Sequence, residues 1–227
     1  MSGPIAPQKR LQEEFRLIGR SAVGRQVLER FLPGFWGGRV EIVEFPRDSL
    51  PGELRESHQG GLGRPAGGFS FQGGKPLIYL EAGSEIRLRA PMLFHEMVHA
   101  VDIEYLASFD ESLRLWKIFR GRVEAELARA SRLRGIDPSQ LTGDQLPRGT
   151  WLELVKLRRA AQAYDQIRLY KAERRAWSLL HRWVEEVCRA MPEYRQWLER
   201  ARAEGHVFDR PVTDEEIRRG YALTLVG

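Results

Sequence analysis

Residues 76–102 read PLIYLEAGSEIRLRAPMLFHEMVHAVD: a β-rich run, a short polar connector, and an apolar segment carrying His95-Glu96-Met97-Val98-His99. On a helix, positions i and i+4 share a face. Both imidazoles can therefore hold one ion, while Glu96, rotated slightly, can hold a water on that ion. With five histidines in 227 residues, composition alone would produce this H-E-x-x-H spacing roughly 1% of the time. The competing account places two hydrogen-bonded histidines in a core helix. It has to bury two imidazoles and a carboxylate with no ion to compensate, which is costly.

Working outward, residues 39–45 (RVEIVEF) and 68–72 (GFSFQ) join residues 76–80 as strands, being rich in β-branched and aromatic side chains. Helical spacing marks residues 8–18 and 21–31, the second capped by Ser21 and stopped at Pro33-Gly34. The glycine- and proline-dense residues 46–67 read as a long loop, a candidate substrate flap. Beyond residue 90 the pattern turns helical. Pro91 suits the first turn of a helix to about residue 106, and Asp110 caps another to about residue 134. After a polar loop over 135–149, a long helix covers about 151–191. Pro192 opens a further one to about 204, and Thr213-Asp-Glu-Glu216 is a capping box for a short last helix. The fold class expected is α+β, predominantly helical. One domain spans 1–227, with N-terminal helices and a small sheet in 1–90 and the helical part in 91–227.

Composition narrows the class further. Cys188 is the lone cysteine, which excludes an internal disulfide and multi-thiolate metal sites. The N-terminus lacks the apolar core of a signal peptide and no stretch is long and apolar enough to span a bilayer, so a cytoplasmic setting with no membrane partner is expected. The net charge is +5, and of 36 basic residues only Lys9, Lys75, Lys117, Lys156 and Lys171 are lysines. The arginines alternate with glutamates along helix faces rather than forming one block. That favours solvated helix surface and leaves a basic nucleic-acid-binding protein as a rival reading.

Strand, connector and H-E-x-x-H helix together resemble the centre of the zincin metallopeptidases. The resemblance implies Zn2+, a peptide or protein substrate, Glu96 as general base, and residues 76–80 as the edge strand that pairs with an extended substrate. Metzincins would need glycine at position 102 and histidine at 105, where this chain has Asp102 and Tyr105. His95 to Ala100 (HEMVHA) is also similar to the SprT-like proteases. These carry a third histidine shortly downstream, whereas the next one here is His181; a SprT-like, nucleic-acid-associated protease stands as the alternative function.

The longer string HEMVHAVD, residues 95–102, resembles the active helix of the anthrax-lethal-factor-like peptidases. These are glutamate-zincins (gluzincins) whose third ligand is a glutamate in a pattern like E-x-x-A-x-x-F. Glu173-Arg-Arg-Ala176-Trp177 matches that segment, so the resemblance implies a metal set of His95, His99 and Glu173 on a later ligand-bearing helix. Glu124 and Glu126, nearer in sequence, are the alternatives for the third position, followed by His181, His206 and Asp165. Three protein ligands and one open position are what a catalytic zinc requires. Asp102 lies one turn beyond His99 and could accept a hydrogen bond from an imidazole. Tyr164 or Tyr170, on the helix of Glu173, could donate to a developing oxyanion.

Overall fold

A computed structural model describes residues 11–46, 67–72, 74–135, 137, 140–142, 145–203 and 210–220. Most of the loop expected over residues 46–67, with its proposed flap role, lies outside the described residues. The described elements run α1 (Gln12–Ile18), α2 (Ala22–Trp36), β1 (Glu41–Phe45), β2 (Gly67–Gln72) and β3 (Lys75–Glu81). They continue with α3 (Ile86–Val101), α4 (Ile103–Arg134), α5 (Arg148–Ala190), α6 (Pro192–Ala203) and α7 (Asp214–Gly220). The protein is therefore mostly helical with a small three-stranded sheet, as the α+β reading expects. Among the described residues no helix is long and apolar enough to cross a membrane.

The chain forms two compact units. One comprises the described residues up to Leu106 and from Tyr170 onward; the other is Ala107–Leu169. In the first unit, Ile78 and Leu80 of β3 meet Leu93, Phe94 and Met97 of α3 in a core closed by Leu180, Trp183 and Val187 of α5. Phe94 and Trp183 stack with ring centroids 5.4 Å apart. The Trp183 indole N–H donates to the Ile18 carbonyl at 3.1 Å, tying α5 to the end of α1. Ser21 caps α2 as its type predicts, accepting from the Gly24 amide at 2.7 Å. Position 24 must be glycine, because a Cβ there would stand 1.8 Å from the Ile18 carbonyl oxygen. The Thr213 capping box also forms, with Glu216 accepting from the Thr213 amide and the Glu216 amide donating to the Thr213 hydroxyl. In the second unit Ala130, Leu141, Leu146 and Leu154 build a separate core.

The sheet order is β1-β3-β2, with β3 parallel to β1 and antiparallel to β2. This corrects the expectation for residues 76–80. They form the central strand, bonded on both sides, because the chain turns back at Gly74, whose φ of +79° is readily adopted only by glycine, and β2 occupies that flank. β2 is the antiparallel edge.

Several helix boundaries also differ from expectation, among them the end of α3, which stops at Val101 rather than about residue 106. Pro33 lies inside α2, which continues to Trp36; Pro33 and Glu29, the residue whose carbonyl loses its donor, are both exposed, so water can serve that carbonyl. Asp110 lies within α4 rather than capping it, since the only break after the H-E-x-x-H helix is Asp102. And α3 begins at Ile86, five residues before Pro91. An interior proline removes the donor for the carbonyl four residues earlier, here that of Arg87. The buried Tyr194 hydroxyl of α6 donates to that carbonyl at 3.3 Å, and the Trp197 indole N–H reaches Glu85, just ahead of the helix, at 3.2 Å. Helix α6 thus completes the start of the H-E-x-x-H helix.

Tyr194→Phe should lower stability by about 1–2 kcal/mol, the cost of leaving a buried carbonyl unpaired. In a Pro91→Ala background, where an amide can serve that carbonyl, the same change should cost clearly less. Urea denaturation of the four proteins of this double-mutant cycle measures the difference.

Candidate metal centre

Residues 90 to 100 of α3 are buried except Met92, which is partly so. Leu93, Phe94 and Met97 are fully enclosed in the core, and His95 and His99 project together toward α5. There Glu173 meets them, flanked by Ala172 and Ala176, both fully buried and small enough to allow close packing. The His95 Nε2 stands 3.1 Å from the Glu173 Oε2, the His99 Nε2 stands 3.2 Å from the Glu173 Oε1, and the two Nε2 atoms are 3.2 Å apart. All three side chains are buried. Among the described residues these three form a group able to hold a metal ion, offering one ligand atom each within 4.8 Å.

A hydrogen-bonded trio and a cation site differ in which imidazole nitrogens carry the protons. Each neutral imidazole carries one N–H. If both hydrogens sit on Nε2 and donate to Glu173, the Nδ1 lone pairs of His95 and His99 are buried with no partner among the described residues. If the hydrogens sit on Nδ1, it is those N–H groups that have no partner among the described residues, and the two Nε2 lone pairs and the Glu173 carboxylate face one another within 4.8 Å. Ligands 2.0–2.1 Å from a tetrahedral zinc stand roughly 3.3–3.4 Å apart, close to the 3.2 Å between the two Nε2 atoms and to the 3.1–3.2 Å between each of them and its own Glu173 oxygen. The donor set of two imidazoles and one carboxylate also suits zinc. The residues fit the ion.

The charges of these side chains act strongly on one another. Burial alone would raise the Glu173 carboxyl, but His99 and His95, through charge and hydrogen bonds, outweigh it and hold it far below the usual range. Glu96, also buried, is pushed up to about 8. Burial is the main cause, His95 opposes it, and the charge on Glu173 adds to it. A cation at the three donors would oppose that rise and favour the carboxylate form.

The other predicted site residues fall elsewhere. Asp102 does not hold an imidazole. One oxygen accepts from the Tyr105 amide at 3.0 Å, capping α4, and the other accepts from the Arg175 guanidinium at 2.6–2.7 Å. It thus ties the end of α3 to α5 two residues from Glu173. The Tyr170 hydroxyl bonds to Asp214, with Arg218 over its ring. Tyr164, Glu124, Glu126 and Asp165 belong to the second unit. There Glu126 pairs with Arg122 at 3.1 Å, and Asp165 accepts from Ser112, Trp116 and Arg168. His181 faces Glu185, and His206 lies outside the described residues. Sequence reasoning misses three aromatic neighbours. The Trp177 ring lies 4.8 Å from that of His95, and the rings of Tyr105 and Phe69 lie 5.4 and 5.7 Å from that of His99. Only Trp177, one turn beyond Glu173, leaves a signal in sequence spacing.

Neither family models, nor curated proteins, nor solved structures gave a match to this chain. The reading of the centre rests on its own geometry.

One equivalent of Zn2+ per chain should raise the melting temperature, by about 2.7 kcal/mol of stabilisation at a hundredfold excess over the Kd. Glu173→Gln should weaken binding more than about 100-fold, the upper end of what losing a supporting partner costs, while Glu126→Gln leaves it unchanged. Calorimetric titration reads both.

Proposed function

We propose that this chain is a zinc-dependent metallopeptidase of the glutamate-zincin kind, with His95, His99 and Glu173 holding the metal and Glu96 as general base. The convergence of the two Nε2 atoms and the Glu173 carboxylate at 3.1–3.2 Å carries the reading. The position of Glu96, beside one ligand in sequence and buried in their company, supports it. Zinc bound there would supply Lewis acidity, lowering the pKa of water and polarising a carbonyl.

The chain's own residues supply the rest. The Glu96 carboxylate removes a proton from the attacking water and returns it to the departing amine nitrogen, so the carboxylate is regenerated at the end of the cycle. Burial raises the proton affinity of Glu96, and a cation at the three donors would oppose that rise and keep it a carboxylate able to accept a proton. Glu173 and the Asp102–Arg175 bond hold α5 in register with α3. The aromatic rings of Phe69, Tyr105 and Trp177 limit water around the imidazoles.

Part of the basic surface is engaged in ion pairs within the protein. Arg89, Arg114, Arg122, Arg168, Arg175, Arg210 and Arg219 each pair with a carboxylate.

Zinc-loaded protein should cleave members of a broad peptide library, and chelation should stop it. Glu96→Gln should lower kcat by about 10²–10⁴ while keeping the metal. Mass spectrometry of the products with elemental analysis of the same samples makes the test; full metal content with no cleavage of any peptide would defeat the proposal.

A further inference from the structure

Beside the candidate centre, the first unit carries a groove of about 750 Å³ whose lining, among the described residues, includes three cationic side chains and no carboxylate. Its apolar wall comes from Phe31, Val40, Val101 and Ile103, and its cations are Arg30, Arg39 and Lys75. Ile103, 73% exposed, adds accessible apolar surface to that wall. Arg30 is fixed at the wall by a bond to the Val101 carbonyl at 3.2 Å. Lys75 pairs with the half-exposed Glu41, which lies outside the lining, so an incoming anion competes with a single solvated partner.

The groove adjoins the elements that carry the centre, though its lining holds none of the three donor residues. Ala100 and Val101, the last residues of α3, directly follow His99 and line it. Along β2, Phe69 touches the His99 ring and Phe71 borders the groove. These two side chains lie on the same strand face, about 7 Å apart. An extended peptide has the same spacing between alternate side chains, so a chain engaged at the centre reaches the groove within a few residues.

Resting on the peptidase reading, we propose that this groove, with its apolar wall and its Arg30, Arg39 and Lys75 cations, selects substrates carrying a bulky apolar residue flanked by aspartate or glutamate near the cleaved bond. The apolar wall supplies affinity for the bulky side chain. The cations discriminate by charge, an interaction that weakens with salt.

The test uses full-length Glu96→Gln protein, so that binding is read without cleavage, and two fluorescein-labelled decapeptides with a central Leu-Phe. One is flanked by Asp and Glu and the other by Lys. Anisotropy should show the acidic peptide binding at least about tenfold tighter at low salt. Arg39→Glu with Lys75→Glu should erase that preference, and Arg39→Gln with Lys75→Gln should reduce it; neither pair touches the metal ligands. Equal binding of the two peptides, or a preference that survives the charge reversal, overturns the proposal. So does displacement of the acidic peptide by a single-stranded oligonucleotide, or a self-association abolished by the same reversal, since either gives the groove another occupant. Cleavage assays on the zinc-loaded wild type separate the two levels. Charge-selective binding without cleavage of either peptide defeats the peptidase reading and keeps the groove. Cleavage of both at equal rates defeats the groove and keeps the peptidase.

Discussion

A carboxylate buried against two imidazoles organises the first unit. Glu173 would be expensive to enclose alone, and His95 and His99 would be expensive to enclose without an acceptor or a cation. Placed 3.1–3.2 Å apart, they offset one another's desolvation. The surrounding architecture serves that placement. Alanines at 172 and 176 bring α5 close, Phe94 on Trp183 fixes its rotation, and Arg175 on Asp102 locks its register. The same core that supports Glu173 keeps Glu96 out of water, so the packing of α3 and the basicity of its carboxylate have one origin.

Features that depend on spacing along one element are the most legible in the sequence. The i, i+4 histidines, the Ser21 cap and the Thr213–Glu216 capping box are written locally, and each forms. Glu173 is 78 positions from His95, and no local pattern joins them; only a resemblance to a known motif reaches it. Asp102 reads as an imidazole partner because it lies one turn beyond His99, but the helix breaks there, and a residue at a break caps the next helix. Tyr105 serves in the sequence only to exclude a third histidine, although its ring borders His99. Pro91 belongs at a helix start by a sound rule about proline, which fails here because a hydroxyl from α6 replaces the missing donor. These misses share a cause: the deciding partner or packing neighbour does not belong to the same local pattern.

The long interval between the histidines and Glu173 has a structural counterpart. Ala107–Leu169 is a compact unit with its own apolar core, so the separation of the ligands in sequence is a stretch of folded chain between α3 and the segment of α5 that bears Glu173. The geometry of the His95, His99 and Glu173 group depends on where α5 joins the first unit, and Trp183, Asp102 and the buried alanines set that position. A segment that folds on its own core can differ in length without disturbing the three donor atoms.

That arrangement imposes an order on synthesis. At about 5–20 residues per second, the 78 positions between His95 and Glu173 take about 4–16 s to translate. Through that interval the histidine-bearing segment has no acidic counterpart and lacks the aromatic face of Trp183. The contiguous unit between them is complete before Glu173 is made, and domains generally fold as units. The unit that bears the histidines therefore cannot close until the later part of α5 and α6 have been made, the last of which seals the start of α3.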